Sequence, residues 1–364
     1  MGNNYYTLKS ILDKKAQYNM IIGERSNGKT YACLKYALEH YVNNNEQVAY
    51  VRRWKDDFKG NRGLNLFESL VANKEVEKLT KGKWTNIYYY SGRWYLCKYD
   101  DKNVRVCDNT PFAFGFALSS MEHDKSVSYP NVTTIIFDEF LTRGIYIKDE
   151  FVIFCNLIST IVRDRMNVTI FMLGNTVNKY APYFEEMGLE HVEYMKQGTI
   201  DVYEYGESEL KVAVEYCGNR ASKKKSDVYF AFENPKLKMI TSGVWEVDLY
   251  PHCPYKYRPK DILYRYFIEF GNNLLECEII MIDDKIFTFI HKKTTPIKNY
   301  KDELIYGTEY SIEVNRRRNI LKARSELESK ILYFYKNDLV FYQSNTIGEI
   351  VRNYINWCKS NSGN

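Results

Sequence analysis

Eight residues constrain this chain more than any others. Gly23-Glu24-Arg25-Ser26-Asn27-Gly28-Lys29-Thr30 fit the spacing G-x-x-x-x-G-K-[ST] in full. Ahead of them runs Tyr18-Asn19-Met20-Ile21-Ile22, a short apolar stretch suited to a buried strand. Behind them apolar residues recur at Cys33, Tyr36, Ala37 and Tyr41 with a helical period. A strand, a glycine-bounded loop and a helix in that order make a phosphate cradle. Successive backbone N–H groups turn toward one point, glycine permits the dihedrals this needs, and the helix N-terminus adds its dipole. The spacing predicts that Gly23 to Thr30 surround the phosphates of ATP. Lys29 would reach the β- and γ-phosphates, and the Thr30 hydroxyl would coordinate Mg²⁺.

A second segment supplies acids. Thr133-Thr134-Ile135-Ile136-Phe137-Asp138-Glu139 reads as a buried strand ending in two carboxylates. Asp138 is the expected Mg²⁺ ligand. Glu139 is the expected base that polarises the attacking water, a role that distinguishes hydrolases from kinases. Between cradle and acids in the sequence lies Gln47 to Arg53, expected to be the extra strand that divides the two in the additional-strand branch of P-loop ATPases. The strand Thr169 to Leu173 leads into Gly174-Asn175, where Asn175 is either a turn residue or a group that senses the γ-phosphate. Arg163-Asp164-Arg165 precede that strand, so they belong at the sheet edge opposite the cradle. There an arginine is either a solvated helix end or a finger for a neighbouring subunit's nucleotide.

The alternation of buried strands and helices to about residue 200 predicts an α/β fold with a parallel central sheet. Residues 84–107 read as an inserted β-meander. At 364 residues the chain is too long for one compact core. The expected division is 1–205 for the ATPase domain, 206–227 for a linker or small subdomain, and 228–364 for a β-rich C-terminal domain. Strands are expected in that domain near 228–232, 244–250, 262–270, 274–282 and 285–291, and helices near 313–335 and 345–358. No run of 18 apolar residues suggests a membrane span, and the first ten residues lack the apolar stretch of a secretory signal. The eight cysteines show no C-x-x-C pair and the five histidines are scattered, which leaves a zinc site unsupported and fits reduced thiols in a cytoplasm. A net charge of +5 is too mild to establish nucleic-acid binding. The 33 tyrosines fit either a compositional background or a stacking role.

Several segments together resemble the DNA encapsidation ATPases of small, protein-primed Bacillus-type podophages. They are Ile22-Gly23 through Lys29-Thr30, Tyr50-Val51-Arg52-Arg53-Trp54-Lys55, Ser126 through Val132, Ile136-Phe137-Asp138-Glu139-Phe140, and Val162-Arg163-Asp164-Arg165. The likeness is good over about residues 15–180; beyond that it rests on size and β-rich character. It implies a homo-oligomeric ring, typically a pentamer, docked on the portal of a procapsid in the host cytoplasm and driving double-stranded DNA inward, with a packaging RNA as a further partner in some systems. It also implies that Arg163, with Arg165 in reserve, is the finger acting in trans, that Lys125 acts at the subunit boundary, and that Arg52, Arg53 and Lys55 lie near the nucleotide or the central pore. Lys55, Lys59, Arg62 and Lys125 sit in segments bounded by polar residues or glycine and are the candidates for contact with DNA phosphates.

The same resemblance implies a C-terminal domain like a ribonuclease-H-type nuclease that has lost its catalytic acids. Glu269, Glu276, Glu278, Asp283 and Asp284 would make a two-metal site only if they converged, and Asp283-Asp284 read better as a hairpin turn. Arg316-Arg317-Arg318, expected on a helix, are either a solvated face or a contact for the portal or an RNA. Two other functions stay open: a helicase-like or recombination ATPase on the same fold, and a nucleic-acid-binding assembly protein whose ATP site is structural.

Overall fold

A computed structural model describes residues 6–123, 128–163, 165–206, 208–218 and 244–362. It divides the chain into two compact units: residues 1–143 with 149–246, and residues 144–148 with 247–364.

The first unit is built on one ten-stranded sheet. Its strands are β1 (Tyr18–Gly23), β2 (Gln47–Arg52), β3 (Asn86–Tyr90), β4 (Arg93–Tyr99), β5 (Arg105–Cys107), β6 (Ala113–Ala117), β7 (Val132–Asp138), β8 (Thr169–Asn175), β9 (Thr199–Tyr205) and β10 (Leu210–Tyr216). They lie in the order β3-β4-β6-β2-β7-β8-β1-β10-β9, with β5 paired to β4. The central run from β6 to β10 is parallel throughout. Such strands are buried on both faces, which is why β1, β2, β7 and β8 are near-continuous apolar runs. Alternate residues serve the two faces. Ile21, Tyr50, Ile136 and Phe171 join one core with Cys33, Leu34, Ala37, Leu38 and Tyr41 of the helix Lys29–Asn44. Phe137 turns the other way, onto Phe154 of the helix Glu150–Val162 and onto Tyr183. The meander β3–β5 extends the sheet as antiparallel strands.

Two expectations are corrected here. The strand that separates cradle from acids is β8, not Gln47 to Arg53: β8 pairs with both β1 and β7, whereas β2 lies on the far side of β7. Order along the chain does not decide order across a sheet, because each helical crossover can skip a position. Residues 206, 208 and 209, read as the start of a linker, lie in the β9–β10 hairpin connection, and β10 pairs with β1. The rest of that expected linker from residue 219 onward, and the strand expected at 228–232, lie outside the described residues.

The second unit holds a six-stranded sheet. Its strands are β11 (Ile262–Phe270), β12 (Asn273–Ile282), β13 (Lys285–Lys292), β14 (Ile305–Tyr306), β15 (Arg316–Arg317) and β16 (Val340–Tyr342), in the order β15-β14-β11-β12-β13-β16. β12 alone runs antiparallel to its neighbours. From β13 to β15 this is the third-second-first-fourth-fifth order of a ribonuclease-H-like sheet. Residues 244–250 form no ladder. Of the helix expected near 313–335 only Glu326–Lys336 is helical, capped by Ser325. The residues before it are irregular because their arginines are drawn into the sheet, as shown below. The helix Asn345–Ser360 is as expected.

Candidate functional site

The cradle stands at the C-terminal edge of the parallel sheet, where β1 hands over to the helix Lys29–Asn44. Gly23 is required by close approach: a Cβ there would come within 2.8 Å of the Cys217 Cβ. Ser26 and Gly28 take positive φ angles of 59° and 93°, which bend the loop back on itself. Asn27 ties the bend, its side-chain oxygen accepting from the Lys29 N–H at 3.1 Å. The loop borders a cavity of about 390 Å³ lined by residues 25–31, Asp138, Glu139 and residues 173–175. Thus the two segments singled out separately in the sequence face one space.

Side chains converge there from four elements. The Lys29 ammonium donates to the carbonyl of Glu24 at 2.7 Å, to that of Gly23 at 3.4 Å and to Asn175 Oδ1 at 3.3 Å. Asn175 arrives there because β8 lies beside β1 in a register that sets Gly23 opposite Asn175. The Thr30 hydroxyl donates to Asp138 Oδ1 at 3.4 Å. Tyr50, from β2, donates to Asp138 Oδ2 at 2.6 Å. Burial lowers the Lys29 pKa and raises that of Asp138, the latter against the pull of Arg52 and Tyr50. Both groups therefore carry charge in a place that penalises it. A desolvated ammonium, a desolvated carboxylate and a threonine hydroxyl around one cavity fit a phosphate chain with its divalent cation.

Glu139 follows at a backbone φ of 60°, and its carboxylate forms an ion pair with Arg52 at 2.7 Å. Its backbone is held by Arg53. That guanidinium donates to the carbonyls of Glu139 and Phe140 at 3.2 and 2.7 Å and clasps Glu150 at 2.7 and 2.9 Å. Arg53 is only 6% exposed, so it shapes the acidic turn and presents nothing to a pore. Tyr50 was the residue the sequence concealed; for Arg52 and Arg53 the resemblance implied a place near the nucleotide or the pore but not the acids they meet. Alternation along β2 would have placed Tyr50 and Arg52 on one face, but only the pairing of β2 with β7 shows which acids they meet.

The other expected site residues fall elsewhere. Lys55 and Arg62 are exposed on the short helical turns Lys55–Phe58 and Asn61–Asn65, and Lys59, also exposed, follows the first. Lys59 pairs with Asp56 at 2.6 Å, and Arg62 reaches the Asp56 carbonyl at 3.4 Å. Lys125 lies outside the described residues. Arg163 ends the helix Glu150–Val162 with an exposed side chain that has no partner among the described residues. Arg165 is engaged at home, donating to the carbonyls of Pro130, Tyr129 and Ile161 at 2.9, 3.2 and 2.5 Å.

In the second unit the acids do not assemble into a two-metal site. Asp283 and Asp284 have φ angles of 47° and 61° and form the β12–β13 hairpin turn. Glu269 is paired with Arg316. Glu276, Glu278 and His291 bring ligand atoms within 4.8 Å of one another, but cations already occupy their oxygens. Arg265 reaches Glu276 at 3.2 Å and Glu278 at 3.1 Å, and Lys293 reaches Glu276 at 2.9 Å. The arginine triplet is likewise turned inward, which corrects its expected helix. Arg316 and Arg317 form a short strand, Arg317 pairs with Glu328 at 3.1 Å, and Arg318 donates to the Thr308 carbonyl and lies over the Tyr310 ring.

Known proteins resemble this chain in sequence and in fold. The chain is 30% identical over 184 residues to the DNA packaging proteins of Bacillus phages PZA and phi29. It is 32% identical over 174 residues to that of Bacillus phage B103. Each alignment covers about half of this chain, and the chain spans about half the length of these curated relatives, 49% for the first two and 48% for B103. The fold extends further. The Phi-28 gp11 DNA packaging motor aligns over 98% of this chain and 97% of its own, with a TM-score of 0.55 at 18% identity. The chain of the bacteriophage Phi-29 viral genome packaging motor assembly aligns over 96% and 98%, with a TM-score of 0.57 at 19% identity. Residues 2–228, which carry the cradle, the acids and Arg163, match the podovirus DNA encapsidation protein (Gp16) family, and the chain belongs to that family.

Proposed function

We propose that this chain is the ATP-hydrolysing subunit of a motor that drives double-stranded DNA into a phage procapsid, working as a ring, pentameric by family resemblance, on the portal within the host cytoplasm. The observation that carries the reading is the meeting of Lys29, Thr30, Asp138 and Asn175 around one cavity, with Glu139 beside it. Thr30 and Asp138 would hold Mg²⁺, which supplies charge neutralisation to the phosphates when bound. Lys29 and the loop N–H groups bind and orient the phosphate chain. Glu139 takes the proton of the attacking water. The Glu139 carboxylate is held in an ion pair with Arg52, so it works once Arg52 releases it.

Arg163 supports the ring. It stands before β8, at the edge of the sheet away from its own cradle, and is free among the described residues where Arg165 is not. We assign Arg163 as the finger that completes a neighbour's site, and Lys55, Lys59 and Arg62 as contacts for DNA phosphates, with Lys125 as a further cation at the subunit boundary. The test is steady-state ATP hydrolysis with and without duplex DNA, alongside protection of DNA from nuclease inside procapsids. Lys29→Ala should weaken nucleotide binding, and Glu139→Gln should keep it while slowing turnover by about 10²–10⁴-fold. Wild-type turnover in the purified Glu139→Gln protein would refute the assignment. Hydrolysis that powers no DNA protection would reduce the chain to an ATPase of another kind.

A further inference from the structure

The meander β3–β5 has two unlike faces. Ile87, Trp94 and Leu96 are buried in the core, and Tyr89 turns the same way to donate to the Phe58 carbonyl at 2.6 Å. The alternate residues stand on the opposite face: Tyr88, Tyr90, Arg93, Tyr95, Tyr99 and Arg105 are aromatic or basic, and Asn86, Cys107 and the buried Cys97 lie among them. Their placement follows from register. Tyr88 is opposite Tyr95, Tyr90 opposite Arg93, and Tyr99 opposite Arg105. Tyr90 and Tyr99 are 63% and 51% exposed. None of these four tyrosine hydroxyls has a partner among the described residues, and Arg93 has no ion pair among them. None of the three strands contains a carboxylate.

A sheet face usually alternates apolar-in with small polar or charged residues out. Four outward tyrosines within twelve residues break that rule. The rings are also ordered. Tyr88 and Tyr90 are near parallel, with an interplanar angle of 14° and centroids 6.4 Å apart, and the Arg105 guanidinium lies over Tyr88 at 3.4 Å. The face therefore already accepts one planar group on an aryl ring. Flat aromatic faces at successive outward positions, flanked by arginines on strands that hold no carboxylate, suit unpaired nucleobases joined by phosphates. Duplex DNA does not fit this chemistry, since its bases are closed to an external ring.

We infer that this face binds single-stranded nucleic acid, with bases stacked on Tyr88 and Tyr90 and phosphates on Arg93 and Arg105. The site is separate from the nucleotide cavity and does not depend on hydrolysis. It gives part of the chain's tyrosine content a stacking role.

Fluorescence anisotropy of the full chain with a short labelled oligothymidylate and an oligouridylate, against a duplex of equal length, tests this. The wild type should bind both single strands more tightly than the duplex competes for the same face. Tyr88→Ala with Tyr90→Ala should weaken single-strand binding by about tenfold or more, and Phe at both positions should stay within about threefold of wild type. Arg93→Ala should flatten the salt dependence of single-strand binding. Duplex binding and basal ATP hydrolysis should survive in all variants, which also reports that they are folded. Single-strand binding that is absent, that survives the double alanine change, or that is lost equally in the phenylalanine pair would overturn the proposal. Retained oligonucleotide indifference together with capture of a protein on this face would overturn it too.

Discussion

The nucleotide edge of the first unit and the acidic face of the second hold similar residues in opposite electrical states. At the first, Lys29 and Asp138 are buried, and burial pushes each toward its neutral form. At the second, burial alone would raise the Glu278 pKa, yet His291, Tyr257 and Arg265 hold it at about 2. Every carboxylate of that cluster has its cation: Arg265 for Glu276 and Glu278, Lys293 for Glu276, and Arg316 for Glu269. A site that is to receive a charged ligand keeps its own charges under-compensated, so that the ligand's arrival relieves them. A face whose carboxylates are already neutralised by arginine and lysine has no such demand left. The contrast accounts for why one group of acids reads as a working site and the other, on a ribonuclease-H-like sheet, as architecture.

The largest expected effect tests whether the first unit's site is complete without a neighbour. Arg163→Ala should lower hydrolysis by about 10³–10⁵-fold if that guanidinium is what reaches the adjacent nucleotide. Mixing Arg163→Ala subunits with Glu139→Gln subunits, each inactive alone, should restore activity at interfaces that pair an intact cradle with an intact arginine. Demonstrably mixed rings without recovery would return Arg163 to a solvated helix end.

The next prediction acts on the compensated face. Glu278→Gln should destabilise the second unit by about 1 kcal/mol, because it takes the carboxylate partner from His291 and one of two from Arg265, which keeps Glu276. The sign in pH follows from the depressed value. The stabilisation is present above the ordinary carboxylate range near 4.5 and is lost as pH falls toward 2. Thermal unfolding across that window measures it. The same variant should have no effect on Mg²⁺-dependent cleavage of DNA, since none is expected from the wild type.

The smallest effect should carry the opposite sign. Asp138 has a raised folded-state pKa, so its ionised form costs stability at neutral pH, and that cost is relieved as pH falls through the raised value. Asp138→Asn should therefore raise the melting temperature of the nucleotide-free protein by a few degrees while removing the extra stability that Mg²⁺ with nucleotide confers. A melting temperature that drops would mean that the hydrogen bond from Tyr50 and the field of Arg52 outweigh the burial of the charge.

What the sequence determined by itself is local. A glycine-bounded loop between an apolar run and a helical period has few conformations that satisfy its backbone, so residues 23–30 could be read as a cradle. A β-branched run closing on Asp138-Glu139 could be read as a buried strand that delivers acids to its C-terminal end. Asp283-Asp284 announced a hairpin turn because both residues tolerate the left-handed conformation their positions require. Tertiary structure decided what lay across gaps in the chain. Whether β2 or β8 stands between cradle and acids depends on which crossover skips a position, and no spacing along the chain encodes that. The roles of Tyr50, Arg52 and Arg53 follow from the neighbour their strand acquires. The arginine triplet at 316–318 carries the charge pattern of an exposed patch, but its partners Glu269, Glu328 and Tyr310 are brought to it by folding. Charge is a property of the residue; its compensation is a property of the fold.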